Sequence, residues 1–428
     1  MDRRDFLTRS SLVTFAGFGG LLSPQSLSLL HPLLSDAGDL AVDEIAQDEA
    51  FWMNIRKSFI TTSDLVDLDN ANTAPTPSPV FEAYVTRGQR LRHAPSERFG
   101  KFWDELETVT RPELASFLGA KPEEVAFTPN ATYGLNTILQ GFPLERGDEI
   151  LVTNHEYPDM IETILQRGKR EGIVMRTVNV PLPGEDRSSL VNTIDQAITP
   201  RTRLILISHV SAWSGEILPI QEVTQAARRR NVAVLVDAAQ SVGLLDVDFA
   251  RIGADFLATS LHKWMGGPMG TGALLMRTQH IGRVWALHPP SWDTTKHPMD
   301  LYEWSGTFNV AAYRSTSDAL KFQRALGLAR KRGRIRFLGD YWKKRLADVR
   351  GVSILTPSDG TRSFGVASMM FDKIPSHKAV QELRGKGFVV QDKSGRHSPY
   401  RNAIRVSPGV YASTSELDQF VKAVRQLA

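Results

Sequence analysis

A carboxylate and an amine stand at the ends of two apolar runs, where packing alone gives no reason for them. Val232-Ala-Val-Leu-Val-Asp237 ends in an acid and continues as Ala238-Ala239-Gln240. Asp255-Phe-Leu-Ala-Thr-Ser260-Leu261-His262-Lys263 ends in a base, and glycines follow at 266, 267, 270 and 272. Runs of this kind suit strands buried on both faces. In an open α/β sheet, ligands bind beyond the carboxyl ends of the strands. Asp237 and Lys263 are about one strand–helix–strand unit apart, so they read as a reactive pair at neighbouring strand tips. A third group lies upstream. Thr128-Pro129-Asn130-Ala131-Thr132 leads into the helical run Tyr133–Leu139, and a helix start offers backbone N–H groups to an anion.

The chemistry that uses all three groups is that of pyridoxal phosphate. Its aldehyde forms a Schiff base with a lysine, and an aspartate keeps its pyridine nitrogen protonated. Lys263 and Asp237 suit those tasks. Asn130, Ala131 and Thr132 suit the phosphate, with Ser260 and His262 adding hydrogen bonds from the other side. Competing chemistries lack their residues. No Gly-Lys-Ser/Thr follows the glycines, so they form no P-loop, and neither a Gly-x-Ser-x-Gly elbow nor a His-Glu-x-x-His spacing is present. The chain has no cysteine, which excludes disulfides, Cys-ligated zinc, iron–sulfur clusters and a cysteine nucleophile.

The elements needed to position these groups are legible. The chain has 428 residues, 42% hydrophobic and 23% charged, a globular mixture sized for two or three domains or one large and one small. Strands are expected at Glu149–Thr153, Ile173–Val178, Leu204–Ser208, Ala233–Asp237 and Phe256–Thr259. Helices are expected between them, at Glu156–Glu171 and Ile220–Arg230. That alternation implies an α/β fold with a mainly parallel sheet. From about Ala312 the pattern shifts to amphipathic helices (Thr316–Phe337, Tyr341–Val349), short strands and a last helix, Ser415–Leu427. This reads as a smaller α+β unit. We expect a large domain over 65–312 and a small one combining 41–64 with 313–428. The formal charge is only +4, spread along the chain, and makes no case for nucleic acid. The basic run Arg330–Arg336 reads as a solvated helix face. Met1-Asp2-Arg3-Arg4-Asp5-Phe6-Leu7 resembles a twin-arginine export signal. Residues 1–40 are therefore expected to be an address for export to the periplasm, and their apolar stretch is too short to span a membrane.

With these residues in place, the sequence resembles the class V aminotransferase family of fold type I pyridoxal-phosphate enzymes over about residues 65–425. Leu68-Asp69-Asn70-Ala71-Asn72-Thr73-Ala74-Pro75 resembles the family's opening motif. Asp237-Ala238-Ala239-Gln240 and Ser260-Leu261-His262-Lys263 resemble its cofactor core. Ser305-Gly306-Thr307-Phe308-Asn309 and Ile404-Arg405-Val406-Ser407-Pro408 resemble two further motifs. The resemblance implies a homodimer with shared active sites and a seven-stranded sheet. It gives Lys263 the Schiff base, Asp237 the pyridine nitrogen and Gln240 the ring oxygen. Thr132, Ser260 and His262 would bind phosphate, completed by Thr307 from a second subunit. Tyr157, rather than His155, would stack on the ring, and Arg405 would clamp the substrate carboxylate.

Within the family, a cysteine desulfurase carries its sulfur on a loop cysteine. Here that loop resembles Lys393-Ser394-Gly395-Arg396-His397-Ser398, with Ser398 at the expected cysteine position. A hydroxyl carries no persulfide, so that mechanism is excluded. Ala212 stands where desulfurases often have an asparagine, with Ser211 or Gln240 as substitutes. The Thr-Pro-Asn-Ala-Thr, His-Glu-Tyr and His262-Lys263-Trp264 stretches resemble the isopenicillin N epimerase-like branch. The leading expectation is an amino-acid epimerase or racemase in which Lys263 takes the α-proton. Tyr157, His397 and Ser398 are candidates for the second acid. A class V aminotransferase or a Cβ–S lyase, including a sulfoxide lyase, shares the same first proton transfer. A non-catalytic binding protein would need neither Lys263 nor Arg405. Trp213, Trp292, Trp304 and Tyr400 are candidate pocket walls.

Overall fold

The computed structural model describes residues 41–62, 64–181, 186–357, 362–400 and 402–428. The expected export segment, 1–40, lies outside the described residues. A short strand, β1 (Val66–Asp67), precedes the central sheet. That sheet has seven strands: β2 (Val125–Thr128), β3 (Glu149–Thr153), β4 (Val174–Val178), β5 (Thr202–Ser208), β6 (Ala233–Asp237), β7 (Phe256–Ser260) and β8 (Gly272–Met276). Their order is β2-β8-β7-β6-β5-β3-β4. The pairs from β7 to β4 are parallel, and β8 is antiparallel to both β2 and β7. The mostly parallel α/β sheet expected from the alternation of runs is therefore present. The two strands that the sequence pattern did not show are β2 and β8, on the antiparallel side.

Strand periodicity sorts the core into two layers, because successive side chains point to opposite faces. Ile150, Val152, Leu204, Leu206, Leu235, Phe256, Ala258 and Leu274 pack on one face. Helices Ala131–Gly141 and Pro158–Glu171 cover it through Leu135, Ile138, Met160 and Ile164. Leu151, Ile205, Ile207, Val234, Val236, Leu257 and Leu275 pack on the other face. Helix Ile220–Arg229 joins that side through Ile220, Val223 and Ala227. The strand expected at Ile173–Val178 is the outlier: β4 is the edge strand, and most of its side chains are exposed or half-buried.

The C-terminal part builds a second sheet from β9 (Val352–Ile354), β10 (Ala367–Phe371), β12 (Gln391–Asp392) and β13 (Ile404–Val406), ordered β12-β13-β10-β9 and antiparallel throughout. The intervening strand β11 (Phe388–Val389) pairs in parallel with β1. A third apolar cluster joins Leu338, Trp342, Leu346, Met369, Phe371, Leu383, Ile404, Phe420 and Val424. The long helix expected at Thr316–Phe337 is two helices, Thr316–Leu326 and Leu328–Leu346, and the second absorbs most of the one expected at Tyr341–Val349. Gly327 separates them with φ +80°, a left-handed conformation that glycine adopts without steric cost.

The basic run is not a fully solvated face. Arg334 is buried, donating to Ala46 O and Ala412 O and pairing with Glu49 at 2.6 Å. Lys331 is buried too, donating to Gln323 Oε1 at 2.9 Å and to Trp264 O. Arg336 alone of the five is exposed. Two of these cations are therefore core fasteners: all of their donor atoms but the Nε of Arg334 find the carbonyl or carboxylate partners that burial demands.

One close approach ties the sheet to the helix start at residue 131. A Cβ on Gly272, the first residue of β8, would lie 2.6 Å from both Asn130 Cα and Thr259 O. Gly272→Ala is expected to destabilise the protein by about 1–3 kcal/mol through overpacking. Chemical denaturation measures it, and an unchanged midpoint would contradict this account of the junction.

Candidate functional site

The carboxyl ends of β6 and β7 place Asp237 and the residues after Ser260 at one edge of the central sheet. Asp237 is buried, and one of its oxygens accepts the Ala239 N–H at 2.9 Å. Burial raises its pKa, while the Ala239 N–H and the Lys263 charge pull it back. Lys263 follows the Ser260-Leu261-His262 turn. A little of its side chain reaches the cleft surface, yet protein surrounds it closely. Burial above all, with Arg405 adding to it and Asp237 and Asp69 opposing it, lowers its amine to about 8. A lysine held there is a usable base near neutral pH.

The helix start forms the third side. Asn130 caps helix Ala131–Gly141 by accepting the Tyr133 N–H at 2.8 Å. Ala131 N–H donates to Ser260 Oγ at 3.0 Å, and Thr128 Oγ1 donates to Asn130 O at 3.0 Å. Ser260 thus joins the end of β7 to the first turn of the helix, whose positive dipole end and backbone N–H groups suit an anion. Thr132 lies in that turn, half-buried. His262 Nδ1 lies 3.1 Å from Thr271 O, and burial followed by the Lys263 charge lowers its pKa.

Arg405 comes from β13. It is buried, and its Nη2 pairs with Asp69 Oδ1 at 2.7 Å. Its Nε is buried without a hydrogen-bond partner among the described residues. A buried guanidinium with one donor unspent is suited to a carboxylate oxygen. Tyr157 precedes helix Pro158–Glu171 and is 37% exposed. Burial raises its phenol, with Asp159 next in influence and Asp237 and Arg405 also within electrostatic reach. His155 is buried instead, with Nε2 2.9 Å from Val180 O and its pKa lowered to about 4 by desolvation.

Gln240 is engaged on both ends of its amide. Its Nε2 donates to Ala71 O at 2.9 Å, and its Oε1 accepts from Trp264 Nε1 at 2.8 Å. Ser211 Oγ accepts from the N–H groups of Trp213 and Ser214, both at 3.2 Å, so it caps a turn. Thr307 is exposed in the single chain. His397 Nε2 lies 2.7 Å from Glu162 Oε1, and Ser398 Oγ donates to Tyr400 O at 2.5 Å. Those two candidates for a second acid are thus taken up by local contacts. Trp213 and Tyr400 adjoin His155: Trp213 Nε1 donates to His155 O at 3.0 Å, and the His155 and Tyr400 rings are 6.2 Å apart. Trp304 lies against Trp292 and Trp103.

Two ionisable residues near the strand tips were passed over in the sequence. Glu156 is fully enclosed; Thr153 Oγ1 and Ser208 Oγ donate to its two oxygens at 2.6 and 2.7 Å. Burial raises it to about 8, against those hydrogen bonds and with help from the Asp237 charge. Lys393 follows β12, and its Nζ lies 5.0 Å from the centre of the Trp213 ring. Periodicity marks neither, since both positions depend on long-range packing. The chemical signal for Glu156 was its place in His155-Glu156-Tyr157, and that for Lys393 was its place in the loop read for a cysteine.

The model of the family "Aminotransferase class-V" matches residues 66–420. Isopenicillin N epimerase of Amycolatopsis lactamdurans is 29% identical over 397 residues, covering 88% of this chain and 98% of that protein. The enzyme of the same name from Streptomyces clavuligerus is 28% identical with the same coverage. A probable cysteine desulfurase of Pyrococcus abyssi is 25% identical and covers 87% and 97%. Among solved structures, the apo cysteine desulfurase of Thermococcus onnurineus NA1 superposes with TM-score 0.75 at 25% identity, covering 87% and 97%. The cystine C–S lyase C-DES, in complex with its product cysteine persulfide, superposes with TM-score 0.74 at 24% identity, covering 85% and 98%. The chain belongs to the class V aminotransferase family, whose cofactor is pyridoxal phosphate.

The residues fit that cofactor. They combine a buried acid, an amine of lowered pKa and a capped helix start stitched to Ser260. Lys263 would hold the aldehyde carbon, Asp237 the pyridine nitrogen, and Asn130, Ala131, Thr132, Ser260 and His262 the phosphate. Lys263→Ala is expected to fold normally, lose the visible absorption of lysine-bound cofactor and lose turnover. Absorption spectra and steady-state rates of the purified variant check this, and full retained activity would contradict the assignment.

Proposed function

We propose that this pyridoxal-phosphate enzyme is an amino-acid epimerase or racemase acting at the α-carbon. One observation carries the reading: a lysine base and a carboxylate-binding arginine share one buried cluster in a chain without any thiol. Similarity to two isopenicillin N epimerases over nearly their whole length supports the substrate class.

The chain's own residues divide the work. Arg405 anchors the α-carboxylate through its guanidinium. Asp69, already paired with Arg405, holds that guanidinium in register before substrate arrives. Pyridoxal phosphate, when bound, supplies an electron sink that acidifies the α-hydrogen. Lys263 receives that proton as a free amine, a role its lowered pKa permits. Asp237 keeps the sink protonated from within a low-dielectric strand end. Burial raises Glu156 to about 8, which favours its uncharged form and limits the negative charge near Asp237. Without a cysteine there is no acceptor for a persulfide, so desulfuration by that route has no place here.

In heavy water, incubation of the cofactor-loaded protein with a panel of L-amino acids is expected to give α-deuterated D-product with the carbon skeleton intact. Chiral chromatography with mass spectrometry reads both features. Conversion to a 2-oxo acid without D-product would overturn the epimerase reading. A released sulfur fragment would then mark a Cβ–S lyase, and its absence an aminotransferase.

The proposal includes a homodimer with Thr307 reaching the neighbouring phosphate site. Thr307 is exposed and follows the half-buried Trp304 in a region that also presents Trp292 at 43% exposure. Light scattering after size-exclusion chromatography is expected to give twice the chain mass of 47.6 kDa. A monomer that retains activity would sink this part.

A further inference from the structure

The short strand β12 pairs with β13 so that Gln391 lies opposite Arg405 and Asp392 opposite Ile404. Lys393 N–H donates to Ala403 O at 2.8 Å, which extends the antiparallel register by one residue. Side chains alternate across a strand, so Gln391, Lys393, Ala403 and Arg405 share one face. Lys393 and Arg405 are diagonal neighbours on that face, a relation that long side chains can span. It is the face on which Arg405 meets Asp69. The Lys393 ammonium is set against the Trp213 ring, 5.0 Å from its centre. Trp213 is itself fixed at both ends. Its indole N–H donates to His155 O at 3.0 Å, and its carbonyl accepts from Ser368 Oγ. Ser368 lies opposite Arg405 in β10. Indole stabilises a nearby cation, so the charged form of Lys393 has a seat in a largely buried place.

We propose that Lys393 is the second proton-transfer group of this site, exchanging a proton with the substrate α-carbon on the side opposite Lys263. The inference rests on the epimerase reading. The charged groups around Lys393 are Arg405 and Lys263, which repel its proton, and Asp69 and Asp159, which favour it. Burial is the largest influence and brings the amine to about 7, close to the value of about 8 for Lys263. Two bases of similar strength can pass a proton in either direction at neutral pH. In the L-to-D direction Lys263 takes the α-proton and becomes an ammonium, while the Lys393 ammonium delivers a proton to the same carbon and becomes an amine. The C–H electron pair remains with the substrate throughout. Both lysines then re-equilibrate with water, and no oxidant or co-reactant is required. The reverse direction exchanges the two roles. Of the other candidates, Tyr157 has its phenol raised by burial and then by Asp159, which makes it a poor proton acceptor in the reverse direction, and the rest are committed elsewhere. His397 is held by Glu162, Ser398 closes a turn with Tyr400, and Glu156 is enclosed by Thr153 and Ser208.

Lys393→Arg and Lys393→Ala test the proposal in the cofactor-loaded protein. Arginine keeps the positive charge but does not release its proton. Both variants are expected to lose inversion by about 100-fold or more, while deuterium exchange into the L-substrate, which depends on Lys263, falls by far less. Added primary amines are expected to restore inversion to Lys393→Ala and not to Lys393→Arg. A readout independent of turnover uses the cofactor-free protein. Competitive acetylation across pH, read by peptide mass spectrometry, is expected to show Lys393 labelling with a midpoint near 7. Inversion by Lys393→Arg at the wild-type rate, or an ordinary lysine labelling profile, would overturn the inference and leave the epimerase reading intact. Wild-type exchange without any inversion would overturn the epimerase reading itself, and this proposal with it.

Discussion

Everything in this site depends on keeping charged groups in a place with little water. Desolvation is the largest influence on Asp237, Glu156, Lys263 and Lys393 alike. It acts in opposite directions on acids and bases, raising the first and lowering the second. The same physical cause therefore lowers both lysines toward neutrality and raises Glu156. A chain that exposed the strand tips to bulk water would have the same residues with ordinary pKa values and little reason to react.

Holding that dry arrangement requires two sheets to meet in register, and the segment from residue 66 to 74 joins them. Val66 and Asp67 pair with Phe388 and Val389 of the C-terminal part. Asp69 bridges to Ser407 and pairs with Arg405. Ala71 N–H donates to Ser407 Oγ, and Ala71 O accepts from Gln240. Ala74 N–H donates to the carbonyl of His262, immediately before Lys263. A stretch of nine residues thus connects the arginine on β13 to the acid-bearing end of β6 and to the lysine after β7. Each link is a hydrogen bond or ion pair whose loss would leave a buried polar group without a partner, which is costly. The distance between carboxylate anchor and base is in this way a property of the backbone stitching as much as of the two side chains.

The sequence showed this core well where chemistry and local pattern coincide. Asp237 and Lys263 end apolar runs, and the strands that bear them fall within a residue or so of the expected limits. Asn130 is legible as a cap because the residues after it are helical. What escaped depends on contacts remote in sequence. Lys393 directly follows a two-residue strand whose register against β13 no periodicity announces. Glu156 sits among polar neighbours, Thr153 and Ser208, that only the fold assembles. Arg334 and Lys331 look like a solvated stripe, because a run of basic residues resembles a wet surface until carbonyls and a carboxylate are found to meet them. Both ends of the Gln240 amide are tied, to Ala71 and Trp264, partners that its place in the motif does not announce. Position in a motif does not reveal which of several polar partners a side chain will take.

The relatives include isopenicillin N epimerases and probable cysteine desulfurases, and the loop after β12 bears on which of those chemistries this thiol-free chain can perform. In the proposed reading the strand ends of the central sheet would prepare an α-carbon for proton loss, a step that both chemistries can share. The fate of the activated substrate then depends on the group that the loop presents to it. A thiol there can accept sulfur. In this chain, which has no cysteine, the loop carries Ser398, whose hydroxyl donates to the Tyr400 carbonyl. The loop's first residue, Lys393, instead lies beside Trp213 on the face that carries Arg405. An amine there cannot accept a sulfane sulfur in the manner of a thiol, but it can hold or release a proton near neutral pH. Lys393 is held by the antiparallel pairing through its N–H to Ala403 O at 2.8 Å. Proton return to one face of a carbon requires fixed geometry, whereas carrying a sulfur atom away requires reach. The placement of Lys393 therefore suits the proposed epimerase, in which a side chain fixed beside Arg405 would serve a short transfer at one carbon.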